Sequence, residues 1–295
     1  MLVEMAGLGF SHVELSHGIR AALVPGILKA VEEKVVRVSS THNFCPLPPG
    51  VMHAAPNLFE PSGTRRDEIE LWRYHTKRSI DFAAKVGAKV LVCHLGHVGF
   101  FWFNPVPRLE ARIEENPNVG RGDDPVYREQ LDRVMAKIRR RMPAYLDRMR
   151  ASVEAVFDYA TACGITLGFE NREKIDELPL DDEYPAFMAS FPATAPIGYW
   201  HDTGHADIKE GAGLLAHRDH LEMMAPRLVG FHLHDVSADG RDHQALGTGQ
   251  IDFDMVSRFW RPEHRLTIEL SPRVEADGVL ASRRRVESLL AARAL

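Results

Sequence analysis

The sequence predicts an α/β fold, a barrel of the (β/α)8 type on a parallel sheet, with its first strand missing or atypical. Three observations carry that expectation. Short apolar, β-rich runs alternate with longer stretches of helical periodicity. Polar side chains capable of acid–base or ligand chemistry stand at the C-terminal end of nearly every run, where a parallel barrel builds its active site. The length of 295 residues suits one domain of this kind, typically about 250 residues, with insertions.

The chain opens in a helix-like segment, MLVEMAGLGF. The expected strands are HVELS (12–16), VVRVSSTHN (35–43), KVLVCHLG (89–96), ITLGFEN (165–171), IGYWHDTGH (197–205), LVGFHLHD (228–235) and RLTIELS (265–271). Each is apolar and flanked by polar or turn residues, as buried parallel strands are. Helices are expected over 67–88 and 144–164. The second places Met149, Val153, Val156, Phe157 and Ala160 on one face and stops at Gly164. Seven strands are recognisable. An eighth would lie most naturally before Met1, unless the barrel closes unusually.

No linker divides the chain, so a single domain over 1–295 is expected, with a long βα loop or lid at about 97–130. That segment is aromatic at its start (FFWFNP, 100–105) and rich in Pro, Gly and charge afterwards. Loops of this length are lids, binding elements or surface excursions, and these readings stay open. The basic run KIRRRMPAYLDRMR (137–150) reads as a solvated helix face, because Asp147 and Glu154 interleave with it.

Composition excludes several classes. The net charge is −5, without the basic balance that nucleic acid or an anionic membrane surface requires, so neither partner is expected. Cys45, Cys93 and Cys163 are too few and too scattered for a disulfide framework or a zinc ribbon. A reduced, cytoplasmic protein is expected. No run approaches the ~18 apolar residues of a membrane span, and the N-terminus lacks the basic region of a signal peptide. The stretch LGTGQIDF (246–253) holds G-x-G without the later glycine of a dinucleotide site and reads as a tight turn. P-loop, G-x-S-x-G and HExxH motifs are absent from the sequence.

The strand ends are more informative. His42 ends the second run, His94 the third and Glu170 the fourth. Asp202 and His205 follow the fifth, His232 and His234 lie in the sixth with Asp242 and His243 just after, and Glu269 ends the seventh. One such histidine would be an ordinary core residue; this many acids and imidazoles at corresponding ends imply a shared site. The mixture suits a divalent cation such as Mn²⁺, Mg²⁺, Co²⁺ or Zn²⁺. Without one, carboxylates gathered in a concave mouth repel each other. Asn171 and Asp235 are candidates for orienting the ligands, and Cys45 and Cys93 are weak ligand candidates. His201 precedes Asp202 by one residue and should point away from it, into a structural role. Gly204 lets the chain turn close to the site.

At these residues the sequence resembles the xylose-isomerase-like TIM barrel superfamily. That group includes the sugar phosphate isomerase/epimerase proteins, ketose 3-epimerases, inosose dehydratase and endonuclease IV. The resemblance runs from about Gly7 to Leu270. It implies a metal held by Glu170 in GFEN, Asp202 in HDTGH, His232 rather than His234 in HLHD, and Glu269 in TIEL. Mn²⁺ is the first expectation; Zn²⁺, Co²⁺ and Mg²⁺ also fit. By the same resemblance Glu170 and Glu269 exchange a proton with a carbon beside a carbonyl through a metal-stabilised enediolate, and His205 is a donor or relay. Glu14, Trp102, Asn171 and Arg172 are the expected substrate-binding residues.

His42, His94, His205 and His243 fall where the nuclease type places additional zinc ligands. Arg241 stands where that type has an aspartate, and Asp242 is one place away. Three activities follow. The first is a metal-dependent isomerase or epimerase of a sugar, keto-sugar or sugar phosphate. The second is a lyase or dehydratase on a keto-sugar or inositol-like ring. The third is a zinc-dependent phosphodiesterase of the endonuclease IV type. A nuclease needs Lys and Arg along its face, whereas the loops here are apolar at 100–105 and acidic at 176–183 (DELPLDDE). A small sugar is therefore the expected partner, and the resemblance allows a homodimer or homotetramer.

Overall fold

The structure, a computed structural model, describes residues 1–294. Its strands are β1 (His12–Leu15), β2 (Arg37–His42), β3 (Val90–Cys93), β4 (Thr166–Glu170), β5 (Ile197–Asp202), β6 (Leu228–Leu233) and β7 (Arg265–Ile268). They follow one another in the sheet in chain order, which matches the seven predicted runs. The first helices are α1 (Leu2–Gly7), α2 (Val24–Glu32), α3 (Arg66–Lys85), α4 (Val106–Glu115), α5 (Pro125–Glu154) and α6 (Phe157–Cys163). After them come α7 (Tyr184–Ala189), α8 (Thr203–Gly211), α9 (His217–Met224), α10 (Phe253–Val256) and α11 (Ala276–Ala292). No helix among the described residues is long and apolar enough to cross a membrane.

The chain forms two compact units. The first comprises Met1–Gly96, Tyr145–Glu170 and Pro192–Gly198. Here β1 to β4 pair in parallel, and the Leu167 N–H donates to Pro196 O at 2.8 Å beside the start of β5. All four residues of β3 are buried, and α3 buries Trp72, Ile80, Phe82 and Ala83. Each fully buried large apolar side chain contributes about 1.5–3 kcal/mol. Gly164 caps α6 at φ 65°, a left-handed conformation that glycine adopts without a Cβ penalty.

The second unit comprises His97–Ala144, Asn171–Phe191 and Tyr199–Leu295. Here β5, β6 and β7 pair in parallel, with Asp202 opposite His232. The Asn171 N–H donates to Trp200 O at 3.3 Å. Gly230 is required by close packing: a Cβ there would stand 2.2 Å from the Trp200 ring.

Three sequence expectations need correction. The segment at 97–130 is not a bare loop; it holds α4 and the start of α5. Val106, Leu109 and Ile113 form a buried helical stripe there, masked in sequence by prolines and charges. The helix expected over 144–164 is two helices. α5 buries Ile138, Met142, Tyr145, Met149 and Val153 at helical spacing, and Ala155 and Val156 then form a turn from which α6 starts, with Val156 as its N-cap at φ −113°. The strand expected to reach His205 ends at Asp202. That side chain accepts from the His205 N–H at 2.8 Å and starts α8 as its N-cap.

Candidate functional site

In the first unit, neighbouring parallel strands bring their C-terminal ends together. His42 ends β2, His94 follows β3 and Glu170 ends β4. The three offer ligand atoms within 4.8 Å of one another. Glu170 Oε2 lies 2.8 Å from His94 Nε2 and 3.4 Å from His42 Nε2, all nearly inaccessible to solvent. The other ring nitrogens define the tautomers. His42 Nδ1 lies 2.9 Å from the Asn43 carbonyl, which can only accept, so Nδ1 carries the proton. His94 Nδ1 lies 2.7 Å from Asn57 Oδ1 and donates to it in the same way. In the neutral rings both Nε2 lone pairs therefore face a carboxylate. A cation turns this opposition into attraction, and a ligand histidine characteristically donates its far N–H in this manner.

The second unit repeats the arrangement with more acid. Asp202 ends β5, His232 lies in β6 and Glu269 follows β7, with its N–H donating to Leu233 O at 3.1 Å. His232 Nδ1 lies 3.0 Å from Glu269 Oε2 and 3.8 Å from Asp202 Oδ2. Asp202 and His232 are fully buried, whereas the Glu269 side chain is 28% exposed. His234 plays a different part. Its Nδ1 accepts from the His243 N–H at 2.8 Å, so Nε2 carries the proton that it donates to Asp202 at 3.0 and 3.1 Å. A Cβ at Gly204 would stand 2.0 Å from the His234 ring, which is why HDTGH needs glycine at that position.

A third group joins Glu173, His205 and Asp242, again within 4.8 Å. His205 Nδ1 donates to the Asn171 carbonyl at 2.9 Å, which leaves Nε2 as the ring's acceptor. Asp242 pairs with His243 Nδ1 at 2.9 Å. Burial opposes charge on His243, but the Asp242 hydrogen bond and the charges of Glu269, Asp242 and Asp202 outweigh it and lift the imidazole to about 9. The His243 ring stacks on His234 with centroids 4.2 Å apart.

Four side chains expected to bind substrate have distinct surroundings. The Glu14 carboxylate accepts from Ser40 Oγ at 2.6 Å. Arg172 Nε donates to Glu177 at 3.2 Å, and its guanidinium reaches to 3.5 Å from His205. Trp102 is 82% exposed beside Phe101 and Phe103. Asn171 is fully buried and spends both halves of its amide on Asp202: it donates to the carbonyl at 3.0 Å and accepts from the N–H at 2.7 Å. Its amide thereby fixes the Asp202 backbone.

Asp235 also orients, but acts on backbone. Its carboxylate accepts from the N–H groups of Val236, Gly247, Gly249 and Ile251 and so folds the LGTGQI turn. Cys45 and Cys93 are buried, and burial pushes both thiols up and keeps them protonated. His201 faces away from Asp202 as alternation along a strand requires, bonding to Tyr199 at 3.0 Å and His217 at 2.9 Å. Sequence reasoning missed Asn57, which lies in a loop far from any strand end. It also missed Glu173, although this acid stands three residues after Glu170.

Comparison with known proteins completes the description. Residues 2–261 match the family described as xylose isomerase-like TIM barrel. A D-tagatose 3-epimerase-like protein is 16% identical with a TM-score of 0.68, covering 99% of this chain and 95% of that one. A 3-keto-D-glucoside 4-epimerase from E. coli is 12% identical with a TM-score of 0.63, covering 97% of this chain and 94% of that one. A xylose isomerase-like TIM barrel protein from Mycobacterium smegmatis, in complex with magnesium, is 16% identical with a TM-score of 0.59, covering 99% of this chain and 87% of that one. No curated protein matches the sequence.

Proposed function

Because the chain belongs to the xylose isomerase-like TIM barrel family, we propose that it is a divalent-metal-dependent isomerase or epimerase of a sugar, keto-sugar or sugar phosphate. Glu170, Asp202, His232 and Glu269 are the proposed ligands, with Mn²⁺ the first candidate. The donor set fits such an ion: three carboxylates and an imidazole are hard-to-borderline ligands. When bound, the cation supplies Lewis-acid polarisation of the substrate carbonyl.

The observation that carries the reading is the contrast within the second unit. Asp202 and His232 are sealed from solvent, while Glu269 beside them is 28% exposed. In this reading a substrate reaches Glu269 from its exposed side, and the carboxylate takes a proton from the carbon next to a carbonyl. The return of a proton at the other face is assigned to Glu170 by the family resemblance and not by exposure, since that side chain is buried. His205, with Nδ1 tied to the Asn171 carbonyl, presents Nε2 as a proton acceptor or relay toward a substrate hydroxyl. Asn171 and His234 hold Asp202 in place by four hydrogen bonds. The solved epimerases with this fold support the class of substrate.

The test is deuterium uptake. A panel of ketoses and ketose phosphates is incubated with the Mn²⁺-loaded enzyme in deuterated water and followed by NMR. Solvent deuterium should enter beside the carbonyl, and exhaustive chelation should stop the exchange. Turnover without uptake, or full activity after chelation, rejects the mechanism. Loss of water from the product would identify the lyase variant, which begins with the same proton abstraction. The presence of three ligand groups favours a second reading, a multi-metal phosphodiesterase. Elemental analysis separates the two: one metal per chain supports the isomerase, and three zincs per chain support the phosphodiesterase.

A further inference from the structure

A cavity of about 220 Å³ lies within the second unit, away from every proposed metal ligand. Leu131 and Met135 of α5, with Ile175 and Leu180 of the segment after β4, are its apolar lining, and the exposed side chains of Asp132, Arg139 and Asp182 also border it, with Arg139 donating to Asp182 at 2.6 Å and so neutralising it. Its floor is charged. Lys209 of α8 is 1% exposed and Asp181 is 7% exposed, and Lys209 Nζ donates to Asp181 Oδ2 at 2.8 Å. The pair is incompletely satisfied. Asp181 Oδ1 is buried without a hydrogen-bond partner among the described residues. Asp181 is also the one hydrogen-bond partner of Lys209 Nζ among them, which leaves ammonium protons unused. Buried polar atoms left this way are costly and call for a ligand group or ordered water.

The chemistry of that floor selects its occupant. A carboxylate or phosphate would be drawn to Lys209 but repelled by Asp181. An ammonium would meet the reverse. A hydroxyl serves both, accepting from Lys209 while donating to Asp181 Oδ1. The apolar lining residues suit a C–H face. The space is about seven times the ~30 Å³ share of one liquid water and below the ~300–1,000 Å³ of drug-sized pockets. We propose that this cavity is a second binding site, for a small neutral polyhydroxy compound with one hydroxyl edge and one apolar face. Lys209 lies one helical turn after His205 on α8, whose N-cap is Asp202, so an occupant rests on the helix that carries site residues at its other end. The site does not depend on the metal-centre reading.

The test uses the full chain, titrated with glycerol, erythritol and xylitol by calorimetry and saturation-transfer NMR. At least one of the three should bind saturably to the wild type. Met135→Trp fills the cavity from a half-buried wall and should weaken that binding at least tenfold. The double variant Lys209→Met with Asp181→Leu removes the polar floor without stranding either charge and should do the same. Affinity should stay within twofold in Glu269→Gln and after chelation. The proposal is overturned if none of the three polyols binds, which would leave water as the occupant. It is also overturned if Met135→Trp leaves affinity unchanged, or if binding disappears in Glu269→Gln or on chelation, placing the polyol at the metal centre. Failure of the metal mechanism alone would leave these binding results intact.

Discussion

Two populations of buried histidine occupy this chain, and they differ in the company they keep. His42, His94 and His232 each face a carboxylate within 3.4 Å. His201, His217 and His220 face one another and Tyr199 across the outer side of β5, at 2.7–3.0 Å. Both populations are almost fully buried, so burial does not separate them; carboxylates do. The first set concentrates negative charge in a way that a cation relieves. The second is a neutral network in which hydroxyl and ring nitrogens exchange donor and acceptor roles. Burial, reinforced by its histidine neighbours, pushes His201 well below its ordinary range and His217 down to about 3. A high histidine count alone would not have distinguished a metal centre from a core network.

The largest effect should follow from touching the accessible carboxylate of the first set. Glu269→Gln keeps the shape of the side chain but removes its basicity. Turnover in the deuterium-exchange assay should fall by about 10²–10⁴-fold, the usual worth of a positioned acid–base group. His217→Gln, in the second set, should leave turnover within a few-fold. Equal losses in both variants would erase the functional distinction between the two populations.

That distinction was partly legible in the sequence. The seven strands were readable because each is a short apolar run, and the polar residues at their ends marked one end of a parallel sheet. Alternation along β5 is enough to assign His201 and Asp202 to opposite faces. The second layer was legible only at Asn171 and Asp235. Asn57 reaches His94 from a loop with no periodic signal, and the tautomer of His234 depends on the His243 amide, nine residues away in sequence. Asn171 was expected both to orient ligands and to bind substrate; only the register beside β5 shows its amide closing on the Asp202 backbone. The α4 stripe was hidden for a different reason, since prolines and charges dominate its composition while three buried positions determine its packing.

A smaller effect should come from the groups that orient the first set. Asn57 accepts from His94 Nδ1 at 2.7 Å and so presents Nε2 toward Glu170. Asn57→Ala removes that acceptor and frees the ring to turn. Partners of this kind are worth about 10–100-fold in metal affinity. If His42, His94 and Glu170 hold a further ion, as in the multi-metal reading, titration with Zn²⁺ should show that site weakened by a factor in this range, with thermal stability of the metal-free protein little changed because Asn57 is itself exposed. An unchanged affinity for every bound ion would mean that His94 is a structural partner of Glu170 and that the four proposed ligands act without it.

The smallest effect concerns the neutral set, and its sign follows from the direction of the shift. His217 titrates near 3 in the folded protein against 6.5 for the ordinary side chain. Between those values the unfolded chain binds the proton and the folded one does not. The stability that depends on a neutral His217 is therefore complete above about pH 6.5. It is lost as the pH falls toward 3, at roughly 1.4 kcal/mol per pH unit once the unfolded histidine is fully protonated. His201 and His220 are shifted the same way and add to the slope. Urea unfolding of the metal-free protein between pH 7 and pH 4.5 should show this decline, and His217→Gln should make it shallower. If the variant kept the wild-type slope, His217 would not contribute to the acid sensitivity, and His201 and His220 alone would carry the share of the neutral set.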